Sequence, residues 1–396
     1  MKPEWRDAIV LGPVAATQAI LTLISGRKAP RKALRVAFDG WYGIDWPAIV
    51  AALQSLASQS GLTLSFRPIL SLFKSRAEIA AYKRAFTETD DPGFGVVNTD
   101  GHLAESFPGL FPMDVWLDDG YFPKPTPAER ISMPIHNHPS TDYVRSHFKE
   151  PLGRYETYYI AEAYEGANTW MGYREEADLE EWERLCREAK NLKEIPNWKE
   201  FIANWDTNVG DLFLIPPGTT HGHGGNQMVL EMDTCPSIAA TEYSFFLYDF
   251  ARHSWDDQKK AMTGKPCNMH LEHGFDNEKW CRESWVKDHL RARPVVVKWT
   301  QDYQVDRYSS DPRMPFEIER LHFSRRADND TTGKFMHIVT LTVGNQVTLR
   351  SKAHPDRRNS IRKWQSALVP ACFGEYAFVN DGEGQCTVVQ LRWKQG

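Results

Sequence analysis

The sequence has no C-x-x-C pair, although it contains 6 cysteines among its 396 residues. This absence argues against a zinc knuckle and against a thioredoxin-type redox site, because both bring two thiols together at that spacing. No secretory signal precedes the first predicted element, so free thiols in a reducing compartment are the simplest expectation. We therefore predict a cytoplasmic protein.

Long apolar runs and strong charge are also missing. The apolar stretch near the N-terminus is interrupted by Pro13, Thr17 and Gln18, whereas a helix that spans a bilayer needs about 20 apolar residues. The formal net charge of -5 gives no electrostatic reason to expect a nucleic acid or an anionic membrane as partner. We predict neither of these partners. The oligomeric state stays open, with a homodimer as one candidate.

Three zones follow one another along the chain, whose length is sufficient for two or three domains. Residues 1–105 alternate predicted strands and helices, including a helix at residues 48–58, which indicates an α/β region. Residues 106–255 are rich in predicted strands and include a helical insert. Residues 256–396 begin with a partly helical linker and continue as short strands separated by turns, as in a sandwich or barrel. Residues 346–351 and 386–393 are two of these predicted strands. The predicted fold class is mainly β with an α/β N-terminal part.

The second zone allows more local predictions. Residues 156–164 (ETYYIAEAY) form a predicted strand, with residues 169–173 as its hairpin partner across a turn. Residues 175–193 and 198–204 are predicted helices, and residues 228–233 a further strand. The segments LFLIPPGTTHG and ALVPACFGEY share the order strand, proline, small residues, turn. This shared order predicts two related β-barrels.

The strongest chemical signal is the segment MPIHNHP. His136 and His138 are two residues apart, so on a strand both imidazoles point to one face. Glu156 begins a predicted strand, and His221 and His223 form a second alternating pair after IPPGTT. Three imidazoles and one carboxylate suit Zn²⁺, Mn²⁺, Fe²⁺ or Ni²⁺. A polar barrel mouth without a metal is the alternative interpretation of the same residues.

Residues 210–221, GDLFLIPPGTTH, resemble the GDxFxIPAGTxHA signature of type I mannose-6-phosphate isomerases, which are zinc cupins. Residues 155–175 resemble that family's PEMWYILEAxPGAxIYLGxKE stretch. Residues 247–252, 269–273 and 369–378 follow in the same order and resemble its LYDYGR, LHIEKA and IPAGxGEYxL stretches. The resemblance covers about residues 130–396. It implies two cupin-type jelly-roll barrels with helical insertions, of which the first binds the metal.

The resemblance also implies a ligand set. The family's ligands, a glutamine and a histidine of QVHP, a glutamate and a late histidine, fall by position on His136, His138, Glu156 and His221. His136 stands where the family has glutamine, and a third imidazole is similar to other sugar-isomerising cupins that often use manganese. We expect one divalent metal ion, with zinc first and manganese or iron as the alternatives.

The implied activity is aldose–ketose isomerisation of a sugar or sugar phosphate, of the mannose 6-phosphate and fructose 6-phosphate type, through a cis-enediol. Such a reaction needs a base that moves a proton between C1 and C2. Glu231 is the first candidate, because the period of the strand at residues 228–233 lets it face the barrel interior. Glu242, Lys265 and His223 are the other candidates.

Three further positions depart from the family pattern. Arg154 stands where the family has a lysine, and a guanidinium stays charged too far above neutral pH to act as a base. Phe246 replaces an arginine, and Glu242 stands where the family has an aspartate. Arg252, Arg154 and Lys265 remain as candidate phosphate contacts. These departures keep two alternatives open: a non-catalytic sugar-binding cupin, and a cupin oxygenase that holds redox-active iron or manganese.

The N-terminal zone contains a second resemblance. Residues 36–56 resemble the strand–loop–helix opening of P-loop sugar or uridine kinases. The loop has Gly40 and Gly43 but no G-K-[ST], so the lysine and the hydroxyl that hold phosphate and Mg²⁺ are missing. We predict a degenerate kinase-like scaffold without ATP hydrolysis.

Overall fold

The computed structural model describes residues 13–27, 46–66, 113–118, 133–150, 152–234, 243–253, 256, 258–261, 263–356 and 358–394. The chain divides into two compact units, Met1–Ala81 and Tyr82–Gly396. Within the described residues, no helix combines the length and the apolar character needed to cross a membrane. The domain boundaries predicted at residues 105 and 255 stay predictions.

The first unit contains two described helices, α1 (Pro13–Arg27) and α2 (Trp46–Gln59). They share a small apolar cluster in which Leu21, Leu53 and Ala57 are buried. The helix predicted at residues 48–58 is confirmed by α2. The segment with Gly40 and Gly43, on which the kinase resemblance depends, lies outside the described residues, so the kinase-like scaffold stays a prediction.

The second unit is built mainly from strands, which confirms the predicted mainly β class. In chain order its described strands are β1 (Met113–Asp118), β2 (Ile135–Asn137), β3 (Glu156–Ala163), β4 (Asn168–Tyr173), β5 (Ile202–Asp206), β6 (Leu212–Ile215), β7 (His221–His223), β8 (Gln227–Thr234), β9 (Phe245–Tyr248), β10 (Arg291–Ala292), β11 (Pro294–Trp299), β12 (Tyr303–Tyr308), β13 (Phe316–Phe323), β14 (Arg326–Asp330), β15 (His337–Val343), β16 (Gln346–Ser351), β17 (Arg358–Arg362), β18 (Ser366–Val369), β19 (Glu375–Asn380) and β20 (Cys386–Trp393). Its described α-helices of at least seven residues are α3 (Thr141–His147), α4 (Leu179–Ala189) and α5 (Leu271–Asn277). Shorter helical turns lie at Trp198–Glu200, Glu283–Trp285, Val286–Leu290 and Ala371–Phe373.

These strands form four antiparallel sheets within the described part of the chain. The strand orders are β1-β8-β3-β6-β10 in the first sheet, β5-β4-β7-β2-β9 in the second, β11-β12-β13-β20-β15-β18 in the third and β14-β19-β16-β17 in the fourth. Every strand pairing recorded between them is antiparallel. Neighbours in each sheet are often distant in sequence, which is characteristic of sandwiches.

The three largest apolar cores among the described residues hold the sheets together. One joins the first sheet to the third and includes Phe213 and Phe316. Another lies between the third and fourth sheets, around Leu341 and Phe378. The last covers the second sheet with α4, through Trp182. The second sheet therefore buries apolar side chains against helices, while side chains on its other face meet the first sheet.

Two local predictions are wrong. The segment predicted as the hairpin partner of β3 is β4, which pairs with β5 and β7 in the second sheet. Both edges of β3 are already occupied by β6 and β8, so the turn between β3 and β4 crosses from one sheet to the other. The helix predicted at residues 198–204 is a single turn, Trp198–Glu200, followed by β5. Pairing with β4 overrides the local helical pattern there.

The predicted helix at residues 175–193 exists but is shorter. It is α4, which begins after Asp178, whose carboxylate accepts a hydrogen bond from the backbone N–H of Glu181 at 3.1 Å. It ends at Lys190, whose φ of 46° breaks the helix. Among the strands predicted in the last zone, β16 and β20 have the predicted bounds.

Candidate metal centre

The four predicted metal ligands meet between the first and second sheets. His136 on β2 lies directly opposite His221 on β7, and Glu156 begins β3 in the facing sheet. One ligand atom from each of His136, His138, Glu156 and His221 lies within 4.8 Å of all the others, and all four side chains are buried. The H-x-H spacing therefore does place both imidazoles on one face, and that face is the inner one.

Backbone carbonyls fix the orientation of all three imidazoles. Each Nδ1 lies within hydrogen-bond distance of a carbonyl oxygen: His136 of Pro134 at 2.7 Å, His221 of Thr219 at 2.9 Å and His138 of Tyr243 at 3.2 Å. A carbonyl can only accept, so we assign the proton to Nδ1 in each ring. Each Nε2 then presents a lone pair to the centre, which is the arrangement that a metal-binding histidine needs.

The Nε2 lone pairs of the three histidines are arranged to bind a cation. The Nε2 atoms of His138 and His221 lie 2.8 Å and 3.0 Å from the same oxygen, Oε2 of Glu156. The Nε2 atom of His136 has no hydrogen-bond partner among the described residues. Two lone pairs aimed at one carboxylate oxygen repel it unless a positive charge lies between them. The donor set therefore fits one divalent ion with three nitrogen ligands and one oxygen ligand.

The pKa shifts of the ligands favour the protonation states that metal binding requires. Burial lowers the pKa of His138 to about 4 and lowers the pKa of His136 well below its ordinary value. Burial alone would raise the pKa of Glu156, but His138 and the Arg154 guanidinium hold that pKa well below its usual range. Near neutral pH these two imidazoles are uncharged and the carboxylate is ionised. Metal coordination requires both conditions.

Arg154 joins three carboxylates beside the ligands. Its Nη2 atom lies 2.8 Å from Glu231, 2.6 Å from Asp233 and 3.5 Å from Glu156. Glu156 is opposite Asp233 in the pairing of β3 with β8, so strand alternation puts the three carboxylates on the same face. With every carboxylate ionised, one guanidinium leaves this group two negative charges in excess, which a divalent ion would neutralise.

Glu231 has the properties of a group that exchanges protons. It is 5% exposed on β8. Burial, followed by the charge of Glu156, raises its pKa well above the usual value for a glutamate. A raised pKa makes the ionised carboxylate a stronger base, which is what a proton-abstracting group requires.

The ion pairs that Arg154 makes with the three carboxylates also lead to a prediction about protein stability. We expect Arg154→Met to lower the free energy of unfolding of the metal-free protein by about 3–5 kcal/mol, because it leaves buried carboxylates without their cation. Urea denaturation at pH 7 measures this change. The matched control is Arg326→Met, which removes a 50% exposed arginine whose Nε lies 2.8 Å from the 38% exposed Asp328; we expect a loss under about 1 kcal/mol. Equal losses in the two variants would contradict the assignment.

The remaining predicted residues lie elsewhere or outside the described chain. Arg252 follows β9, where its Nε donates to Asp249 at 2.7 Å. Lys265 is exposed and precedes Pro266, which bridges to His253 in the segment containing Arg252. Neither belongs to the buried ligand group, and their role as phosphate contacts stays a prediction. Glu242 lies outside the described residues.

Two further residues, His223 and Asp233, are also buried in this part of the fold. His223 is buried on β7 opposite Thr169, and its ring lies 5.6 Å from that of Tyr158, but it is not one of the four grouped ligands. Asp233 was not among the predicted site residues. Its position two residues after Glu231 on a predicted strand was the available signal, since period 2 puts both side chains on one face.

Comparison with known proteins supports the resemblance. No model of a known protein family matches the chain. The sequence is 28% identical over 235 residues to the mannose-6-phosphate isomerase of Streptococcus mutans, which covers 58% of this chain and 65% of that protein. It is 26% identical over 139 residues to mannose-6-phosphate isomerase ManA of Bacillus subtilis, covering 35% and 38%. The matches thus span less than two thirds of these relatives.

Comparison with solved structures also finds a mannose 6-phosphate isomerase. A crystal structure of the mannose 6-phosphate isomerase of Bacillus subtilis superposes with a TM-score of 0.52 at 16% identity, covering 71% of this chain and 75% of that one. At this identity the likeness concerns the fold alone. The chain is therefore similar to mannose-6-phosphate isomerases in sequence over part of its length, and to one of them in fold.

Proposed function

We propose that this protein is a metal-dependent isomerase that interconverts an aldose and a ketose, as free sugars or as sugar phosphates of the mannose 6-phosphate and fructose 6-phosphate type. The observation that supports this proposal most is a buried set of three imidazoles and one carboxylate beside a glutamate whose pKa is raised. The names of the relatives support the same class of reaction.

His136, His138, Glu156 and His221 would hold the ion. Bound there, a divalent ion supplies Lewis-acid polarisation of the two sugar oxygens on which charge changes during the reaction. Borderline nitrogen ligands with one carboxylate suit zinc, which we propose first, with manganese or iron as alternatives.

The protein's own residues would move the proton. In the proposed aldose-to-ketose direction, the carboxylate of Glu231 takes the proton from C2. The electron pair of that bond becomes the C1–C2 double bond of a cis-enediol, and the π pair of the C1 carbonyl moves onto O1, which takes up a proton from solvent. The carboxyl group then returns its proton to C1, to which the electron pair of the C1–C2 double bond now binds it, while the C2 hydroxyl releases its proton to solvent and becomes the carbonyl. Arg154, 2.8 Å from Glu231 Oε1, would keep the carboxylate in place and stay charged throughout.

The proposal includes the architecture that the resemblance implies, two cupin-type jelly rolls. The first and second sheets face each other around the ligands, and the third and fourth sheets share a separate apolar core. A polar group inside such a two-sheet arrangement needs a partner, because an unsatisfied buried polar group costs roughly 1–3 kcal/mol.

A sugar panel tests this function directly. Mannose 6-phosphate, fructose 6-phosphate, mannose, fructose and lyxose are each incubated with the protein and followed by NMR, with and without EDTA. We expect at least one aldose–ketose pair to interconvert without oxygen uptake. EDTA should slow the reaction by about 100-fold or more, and added Zn²⁺ or Mn²⁺ should restore it.

Each of the other outcomes would replace the proposal. Oxygen consumption that depends on a sugar would identify an oxygenase. Sugar binding without turnover, at an affinity that EDTA does not change, would identify a non-catalytic binding protein. A comparison of phosphorylated with free sugars in the same panel decides whether a phosphate group is required.

A further inference from the structure

A second buried polar group lies behind the metal ligands and is centred on Glu278, the residue at which α5 ends. Glu278 is 6% exposed, and both of its carboxylate oxygens accept hydrogen bonds. Oε1 accepts from the backbone N–H groups of Lys279 at 3.0 Å and Trp280 at 3.1 Å. Oε2 accepts from three side chains: Asn137 at 2.9 Å, Tyr173 at 3.1 Å and the hydroxyl of Thr220.

The partners of Glu278 are the immediate neighbours of the metal ligands in sequence. Asn137 lies between His136 and His138, and Thr220 precedes His221. Because side chains alternate along a strand, Asn137 and Thr220 point away from the face on which the ligands lie. A single carboxylate oxygen thus connects, from behind, the two chain segments that contribute the three imidazoles.

This connection matters because the two segments are otherwise weakly paired. Strands β2 and β7 have three residues each, and their register contains one pair, His136 with His221. So short a ladder does little to fix the distance between two strands. The side-chain hydrogen bonds to Glu278 supply further constraints close to the ligands.

The side chain of Asn137 makes further hydrogen bonds to residues of α5. Its amide nitrogen also donates to the carbonyl of Gly274 at 3.0 Å, and its oxygen accepts from Asn277 at 3.1 Å. Asn277 donates in turn to the carbonyl of His138 at 2.7 Å. Every donor and acceptor of the Asn137 side chain is therefore satisfied, which leaves it one orientation.

The loop before β7 is held by the same segment. The N–H of Gly218 donates to the carbonyl of His138 at 2.8 Å, and the N–H of Lys279 donates to the carbonyl of Gly218 at 2.8 Å. Gly218 has φ +78, and a Cβ there would lie 2.5 Å from the carbonyl oxygen of Asn277. Only glycine fits this close approach. Residues 277–279 therefore contact both ligand segments through backbone as well as side chains.

We propose that Glu278 is a positioning residue of the metal centre, which sets the spacing between the strand of His136 and His138 and the strand of His221 and thereby the affinity for the ion. The inference rests on the metal centre of the proposed function. Groups that orient metal ligands from outside the coordination sphere typically change metal affinity by about 10–100-fold when they are removed.

Glu278→Gln tests this role without changing the size of the side chain. One carboxylate oxygen becomes an NH₂ group, which then faces either the two backbone N–H donors or the three side-chain donors. We expect Co²⁺ affinity, measured by competition with a chromophoric chelator, to fall by about 10–100-fold. We also expect the visible absorption spectrum of bound Co²⁺ to change, because the ligand geometry changes.

Two other variants complete the experiment. Tyr173→Phe removes one donor to Glu278 and should lower Co²⁺ affinity by a smaller factor, about 3-fold, because the other hydrogen bonds to Glu278 remain. Glu319→Gln is the matched control: it alters a buried carboxylate on β13 that accepts from Arg307 and Gln390. It should lower thermal stability and leave Co²⁺ affinity and spectrum unchanged.

The outcomes separate the inference from the proposal on which it rests. The positioning role would be overturned if Glu278→Gln kept the Co²⁺ affinity and spectrum of the original protein and lost only thermal stability. If Glu278→Gln does not fold, Tyr173→Phe decides, and unchanged affinity in that variant overturns the role as well. Failure of the unsubstituted protein to bind Co²⁺ would instead overturn the metal centre itself.

Discussion

Replacing His138 by alanine, or Glu156 by glutamine, is expected to remove the bound ion and the isomerase activity together. Oε2 of Glu156 lies 2.8 Å from His138 and 3.0 Å from His221, so either change breaks the donor set at its centre. The ion contributes several kcal/mol of charge stabilisation in such reactions. At 1.36 kcal/mol for each tenfold change, we expect the rate to fall by about 1,000-fold or more.

Metal analysis of the purified variants, together with the sugar panel, measures both losses. The matched control is His337→Ala, which removes another buried histidine, on β15, whose Nδ1 lies 3.0 Å from the hydroxyl of Tyr376. That variant should keep its metal. A His138→Ala protein that retains one ion per chain would show that His138 is not a ligand.

Glu231→Gln is expected to keep the ion and lose the reaction. Glutamine has nearly the same shape and can still accept a hydrogen bond from Arg154, but it cannot take a proton from carbon. Removing a general acid–base group usually lowers the rate by about 10²–10⁴-fold. We therefore expect kcat to fall by that factor while metal content and KM change little.

Exchange of the C2 proton of the sugar with solvent deuterium gives a second readout, because it reports proton transfer without product release. Glu162→Gln is the matched control, since Glu162 lies on β3 but pairs with Lys363 at 3.0 Å on the surface. It should exchange at the original rate. Full exchange in Glu231→Gln would assign the base to another residue, and His223 on β7 would be tested next.

The metal ligands could be predicted because they are marked by a short sequence spacing and by their positions in the family motifs. The H-x-H spacing of His136 and His138 fixes a common face once the segment is a strand, whatever the rest of the fold does. Glu156 and His221 were candidates from their positions at predicted strands, and the family resemblance pointed to the same two residues, although 65 residues separate them and spacing alone does not connect them. The structure brings all four together.

The surroundings of the ligands could not be predicted in the same way. Arg154 was expected as a phosphate contact, but its guanidinium lies against Glu231 and Asp233, and this arrangement depends on which strand pairs with β3. Glu278 follows a short helix about 140 residues from Asn137 in sequence, and nothing in its local sequence indicates a buried carboxylate.

The errors in the fold have the same physical origin. The period-2 pattern of β4 identified a strand correctly but not its sheet, because apolar alternation does not specify a partner. The segment of β5 was predicted as a helix, and pairing with β4 made it a strand. Long-range hydrogen bonding decides such cases, whereas the strands with an unambiguous local pattern, such as β16 and β20, were predicted with their observed bounds.

The most direct test of the metal centre is X-ray absorption spectroscopy of the purified protein at the edge of the ion that it contains, with the metal content measured on the same sample. We expect one divalent ion per chain, with the scattering signature of three imidazoles and one carboxylate oxygen. A protein that contains no divalent ion and takes up none of Zn²⁺, Mn²⁺ or Co²⁺, or an ion without imidazole ligands, would contradict the account.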